Sequence, residues 1–243
     1  MLIHGFGEDG SVWDRQYDIF NGYQLIIPEL PGTGGSEITQ DMSMEGMAAT
    51  IRDFLDMQNI PQCCMIGHSM GGYITLAFAE AYADRLNSFG LFHSSAYEDT
   101  DEKKQTRKKG MEFISKNGAF EFLKTATPNL YSPFTKENNP ALIEEHIEST
   151  RHFRDEALIR YYQAMINRPD RTHVLKETKI PVLFVLGRHD NAIPFQDVLK
   201  QSYLPAVSQV EFLEKSGHMG MREETELSNN ILLAFTSFLS LLQ

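Results

Sequence analysis

The chain has 243 residues, 42% hydrophobic and 23% charged, which suits one α/β domain with an inserted segment. Its net charge of −11 argues against a nucleic-acid partner and against an anionic membrane surface, since both need a basic face. The only cysteines, Cys63 and Cys64, are adjacent, no basic leader precedes an apolar run, and no apolar stretch is long enough to span a bilayer, so a reducing, cytoplasmic setting is expected.

Leu2-Ile3 reads as a short strand running into the glycine-bracketed loop His4-Gly5-Phe6-Gly7. Tyr23–Ile27, ended by Pro28, is expected to be a second strand. The loop Pro31-Gly32-Thr33-Gly34-Gly35-Ser36 follows; it lacks the lysine and hydroxyl spacing of a phosphate-binding loop and reads as structural. Met44–Met57 has helical apolar spacing at Met47, Ile51, Phe54 and Leu55. Cys63–Ile66 is a strand, Gly72–Glu80 a helix. Between them stands Gly67-His68-Ser69-Met70-Gly71, a G-x-S-x-G pattern at a strand-to-helix turn. Such a turn holds the serine in a strained backbone conformation at its tip, and side chains at the glycine positions would collide with neighbouring backbone. Leu86–Phe92 is the next strand. Strands alternating with helices imply a parallel sheet covered on both faces.

The rhythm breaks from Tyr97 to Leu175. This stretch shows no strand pattern, and helices are expected around Lys104–Lys116, Ala119–Thr125, Ala141–Arg151 and Asp155–Asn167, punctuated by Pro128, Pro133 and Pro140. A helical insertion of this length reads as a cap over the strand ends, giving a core of 1–96 and 176–243 and a cap of 97–175. Its aromatics, Phe113, Phe120, Phe122, Phe134, Phe153, Tyr161 and Tyr162, should mostly pack the cap on the core, with a few lining a pocket. Arg151, Arg154, Arg160 and Arg168 read first as solvated charges; the sharper reading is a patch for an acidic substrate. Strands resume at Pro181–Leu186, leading into Gly187-Arg188-His189-Asp190, and at Gln209–Leu213, leading into Ser216-Gly217-His218. Glu223–Leu242 closes the chain as a helix.

Serine is a poor nucleophile until a base takes its proton and an acid orients that base. Asp190 and His218 both follow strands and glycine turns, so both should emerge on the carboxyl side of the sheet with Ser69. Phe6 and Met70 N–H groups are the natural pair of oxyanion donors. His68 is expected to pack beside the elbow, and His189 to point away from Asp190. Asp197 and the Ser94-Ser95 region are weaker places for the acid. His93 and Trp13 are candidate pocket walls, with core packing as the plainer reading of each. No histidine or acid cluster has metal-ligand spacing, so no metal is expected.

His4-Gly5-Phe6-Gly7, Gly67-His68-Ser69-Met70-Gly71-Gly72, Gly187-Arg188-His189-Asp190-Asn191-Ala192-Ile193-Pro194 and Ser216-Gly217-His218, spread across nearly the whole chain, resemble the motifs of the α/β-hydrolase superfamily. The branch they resemble most holds small carboxylesterases, lactonases and meta-cleavage-product hydrolases. The resemblance implies Ser69 as nucleophile, Asp190 as acid, His218 as base, Phe6 and Met70 in the oxyanion hole, no cofactor, and a small-molecule ester, thioester or lactone as substrate. It leaves open a C–C bond hydrolase or a lyase of menaquinone-type synthesis using the same triad, or a slow-turnover binding protein. Members usually carry two further strands before the His-Gly loop; here Met1 opens directly on that strand. Tyr23–Ile27 is therefore expected to be an exposed edge strand, with reduced stability or edge pairing as a consequence.

Overall fold

Alternate residues of each apolar run feed opposite faces of a sheet, and here both faces are covered. In a computed structural model describing residues 1–240, with side chains through 237, five parallel strands pair in chain order: β1 (Leu2–Ile3), β2 (Cys63–His68), β3 (Leu86–Phe92), β4 (Val182–Gly187) and β5 (Ser208–Leu213). On β4 every residue is buried. Val182, Phe184 and Leu186 enter one apolar cluster, and Leu183 and Val185 the other. Leu2 and Ile3 divide in the same way. This period of two explains why the strands read as continuous apolar runs rather than as alternating ones.

Helices α1 (Met44–Met57) and α2 (Met70–Ala81) supply the first cluster with Met47, Ile51 and Leu55, and with Ile74, Leu76 and Phe78. Ser43 starts α1 by accepting the Gly46 N–H at 3.0 Å, which satisfies one of the first-turn donors. Six helices lie between β3 and β4: α3 (Asp101–Asn117), α4 (Ala119–Ala126), α5 (Pro133–Asn138), α6 (Pro140–Ser149), α7 (Asp155–Asn167) and α8 (Thr172–Glu177). Prolines at the first turns of α5 and α6 fit positions whose N–H has no helical partner. After β4 come α9 (Phe195–Gln201), α10 (Gly220–Glu223) and α11 (Thr225–Ser240). Ile231, Leu232 and Phe235 of α11 cover the second face. The expected final helix ran to Leu242; its positions 241 and 242 lie outside the described residues. Among the described residues no helix is long and apolar enough to cross a membrane.

Tyr23–Ile27 is not a strand. The segment is irregular and joins the sheet through a single Leu2 N–H to Ile26 carbonyl bond of 2.9 Å. Its neighbour β1 has only two paired residues, and Pro28 offers no N–H, so a ladder has little to grow on. The edge remains partly open: Tyr23 is 43% exposed, and a hollow of about 250 Å³ runs between Leu25, Ile26 and the start of β2. Cys63 and Cys64 are free thiols, only partly buried.

Candidate active site

The turn between β2 and α2 is built by steric exclusion. Ser69 has φ 52° and ψ −115°, a region L-residues rarely occupy. A Cβ on Gly67 would run into the backbone of Gly71, and one on Gly71 would sit 2.5 Å from the Ile3 carbonyl oxygen and 2.6 Å from that of His4. Gly71→Ala should therefore cost about 3 kcal/mol or more, because backbone on both sides must move. Gly35→Ala, where nothing lies within 4 Å, should stay within about 0.5 kcal/mol of the parent. Urea midpoints of the two variants check this directly.

Ser69 faces a cavity of about 160 Å³, and its hydroxyl makes no hydrogen bond within the described residues. Phe6, His218, Ala192 and Ile193 line the same cavity. The N–H groups of Phe6 and Met70 are likewise without partners among the described residues. The Phe6 ring is stacked on Tyr162 of α7, with centroids 4.1 Å apart, and meets Phe122 of α4 edge-on. Gly7 packs against Leu123. The helical segment thus seats directly on the loop that carries Phe6.

Asp190 and His218 meet. His218 Nδ1 lies 2.8 Å from Asp190 Oδ2, with both side chains buried. A carboxylate oxygen only accepts, so Nδ1 carries the proton and Nε2 is left as the basic nitrogen. The other oxygen, Oδ1, accepts the N–H groups of Ala192 and Ile193 at 2.8 and 2.9 Å. Asp190 therefore both caps its own turn and orients a histidine. Burial alone would raise its pKa, but the charge and hydrogen bond of His218, with His93 beside it, hold it well below the usual carboxylate range. Burial alone would lower His218; the Asp190 charge and hydrogen bond outweigh it, and the net shift is upward.

Two expected pocket walls lie elsewhere. His93 is buried behind the site, its Nδ1 3.1 Å from the same Asp190 oxygen, in a strained backbone with φ 49°. Burial pushes its pKa down to about 4 despite Asp190, so it donates to the acid as a neutral ring. Trp13 is fully buried in the core, edge-on to Phe92 and His68. Neither borders the cavity. The strand end put His93 near the site, but its side chain turns inward toward the acid. Asp197 is paired with Lys200, and Ser94 bonds the Ser69 carbonyl at 2.7 Å. His93, Asp190 and His218 form a group with metal-ligand proximity that sequence spacing hides, because its members come from three loops. Both histidines are already bonded to Asp190.

Two carboxylates carried no signal in the sequence. Glu8 is buried and accepts from Gly5 N at 2.6 Å and from His68 Nδ1 at 2.9 Å; His68 Nε2 in turn faces the His218 carbonyl at 2.9 Å. Against the effect of burial, His68 holds Glu8 down to about 2. One buried chain of bonds so ties the Phe6 loop, the elbow and the His218 loop together. Glu223 does the same for the helical segment. Its carboxylate accepts from Gly217 and Met219 on one side, and from Ser132 and Thr135 on the other. A direct bond from His218 N–H to the Leu130 carbonyl, 2.6 Å, completes that seam.

A model of the alpha/beta hydrolase family matches residues 1–228. The chain is 25% identical over 247 residues to a 2-hydroxy-6-oxononadienedioate/2-hydroxy-6-oxononatrienedioate hydrolase of Paraburkholderia phymatum, covering 97% of this chain and 85% of that protein. It is 27% identical over 248 residues to Lipase 1 of Psychrobacter immobilis, covering 98% and 77%. Among solved structures it is similar to a thermophilic esterase from Thermogutta terrifontis with malate bound, at a TM-score of 0.93 and 26% identity, covering 98% of this chain and 89% of that one.

Proposed function

We propose that this chain, which belongs to the alpha/beta hydrolase family, is a serine hydrolase that cleaves a carboxylic ester, thioester or lactone through an acyl-enzyme. Its being a hydrolase of that family type rests on the match across the chain. The nucleophile assignment is carried by one observation: a strained Ser69, its hydroxyl unbonded among the described residues, opens on the same cavity as a histidine whose far nitrogen is fixed by a buried carboxylate.

His218 Nε2 takes the Ser69 proton as Oγ attacks the carbonyl carbon. The developing oxyanion is held by the Phe6 and Met70 N–H groups, each worth roughly 10²–10³ in turnover. His218 then protonates the leaving group. A water, losing its proton to the same nitrogen, attacks the acyl-enzyme; the acid leaves as His218 returns that proton to Ser69 Oγ. Residues 97–175 act in this reading as a cap whose Phe122, Leu123, Tyr162 and Met165 wall the acyl pocket.

A serine-reactive phosphonate should label one residue, Ser69, with release of its leaving group. Labelling of Ser94 or Ser95 instead, mapped by peptide mass, would overturn the assignment. The likeness to the Paraburkholderia hydrolase supports a second reading, C–C bond hydrolysis by the same three residues. Turnover of a vinylogous diketone in preference to p-nitrophenyl esters would select it.

A further inference from the structure

We propose that Arg107 makes one wall of the Ser69 cavity a carboxylate-recognition site, so that the preferred substrate carries a free carboxylate a few carbons from the scissile carbonyl. This rests on the acyl-transfer reading for its reaction, but the site itself is argued from charge and packing alone.

The first observation is a charge count. Asp99 is fully buried and serves two guanidinium groups. Arg107 reaches it through Nε at 2.5 Å and one terminal nitrogen at 3.1 Å, and Arg168 reaches the same carboxylate at 3.0 Å. Burial alone would raise the Asp99 pKa; the two arginines outweigh it and keep the group ionised. One negative charge thus faces two positive ones. Arg168 is well occupied: both of its terminal nitrogens donate, also to the Met165 and Tyr97 carbonyls, and it lies 3.7 Å over the Tyr73 ring. Arg107 is not. Asp99 is its only hydrogen-bond acceptor among the described residues, its second terminal nitrogen is unbonded, and its side chain, 18% exposed, borders the cavity.

The second observation is location. Arg107 lies 5.5 Å over Tyr162, and Tyr162 is stacked on Phe6. The unspent cation is therefore one aromatic ring from the loop whose N–H faces the reacting carbonyl. Lys103, one helical turn before Arg107 on α3, places its ammonium 3.1 Å from the carbonyl of Ala192, another wall residue. Arg107 lines the cavity and Lys103 stands behind its Ala192 wall, in a chain of net charge −11. The one carboxylate lining the cavity, Glu8, is matched by His68 and Gly5.

A clamp between α3 and α7 needs only one arginine on Asp99. A second, half-satisfied cation in a partly dry wall costs desolvation that a bound anion would offset, and a guanidinium fork suits a carboxylate. The remaining walls, Phe122, Leu123 and Met165, are apolar and suit the intervening methylenes.

Monomethyl glutarate and methyl valerate test this, because they differ only in a carboxylate replaced by a methyl group. Proton release at constant pH gives kcat/KM for each. The parent protein should favour the anionic ester. In Arg107→Met the ratio of the two values should fall roughly ten- to a hundredfold, the usual worth of a charge-assisted hydrogen bond. Arg107→Lys should keep part of the preference, and added salt should erode it. A parent that favours methyl valerate, or a ratio unchanged in Arg107→Met, overturns the site while leaving the acyl-transfer reading in place. Calorimetry of glutarate with the Ser69→Ala protein separates the two further. If neither ester is cleaved but glutarate binds and Arg107→Met abolishes that binding, the recognition site stands and the reaction assigned to it fails.

Discussion

Replacing Ser69 with alanine should lower kcat for ester hydrolysis by a factor on the order of 10⁶, the scale seen when a triad loses its nucleophile. The fold should survive, because the hydroxyl makes no hydrogen bond within the described residues and its removal leaves no buried group unpaired. A second substitution separates chemistry from architecture. At φ 52° and ψ −115° an L-residue is strained by about 1–3 kcal/mol, and glycine is not. Ser69→Gly should therefore be inactive yet more stable than Ser69→Ala. The gain is about 1 kcal/mol after allowing for the looser unfolded chain. Urea midpoints and p-nitrophenyl butyrate turnover measure both. An alanine variant retaining a few per cent of activity would mean that another group attacks the carbonyl. A glycine variant less stable than the alanine one would mean that the turn stores no strain.

The parts of this site that could be read from the chain are those whose signal is local. Gly67, Gly71 and Gly72 mark the turn because a Cβ at each meets neighbouring atoms. Asp190 and His218 follow β4 and β5, and the parallel sheet brings their loops to one side. What the chain hid depends on partners distant in sequence. Tyr23–Ile27 has strand-like residues, but a strand needs a ladder, and two-residue β1 scarcely offers one. His93 follows β3 at a strand end, but which way its ring turns is decided by Asp190, 97 positions away. Glu8 follows the Phe6 loop without any motif of its own, and its role appears only when His68 is folded beside it. Arg168 read as a solvated charge because its helix is polar there, yet Asp99 draws it into the interior. Arg107 stands in the charged run of α3 and is distinguished from its neighbours only by the face that docks on Tyr162.

Asp190→Asn should cost about 10⁴ in kcat, and its pH dependence should identify the cause. In the parent protein Oδ2 accepts from two Nδ1–H groups, His218 at 2.8 Å and His93 at 3.1 Å. Asparagine keeps one acceptor oxygen and adds two donors. If its oxygen stays on the Ala192 and Ile193 N–H groups, its NH₂ must face two ring nitrogens that were both donating. His218 then turns or takes the other tautomer, and Nε2 no longer accepts the Ser69 proton. The sign of the pH effect follows from the raised His218 pKa. The base must be neutral, so kcat/KM of the parent should rise with pH through an acid limb above 6.5, and Asp190→Asn should move that limb down. Stability runs the other way. A raised histidine pKa contributes stability that is complete below 6.5 and is lost as pH rises through the folded value. The lowered Asp190 pKa contributes above about 3.8 and is lost as pH falls below it. His93, held down to about 4, is neutral in the folded protein above pH 5, but its unfolded form takes a proton below 6.5, so it subtracts stability as pH falls from 6.5 toward 4. The pair is thus strongest between roughly pH 4 and 6.5. Asp190→Asn should destabilise the protein more at pH 5.5 than at pH 9, measured by urea unfolding at both. Equal losses at the two pH values would show that Asp190 holds its own turn and nothing more, and that the orientation of His218 has another source.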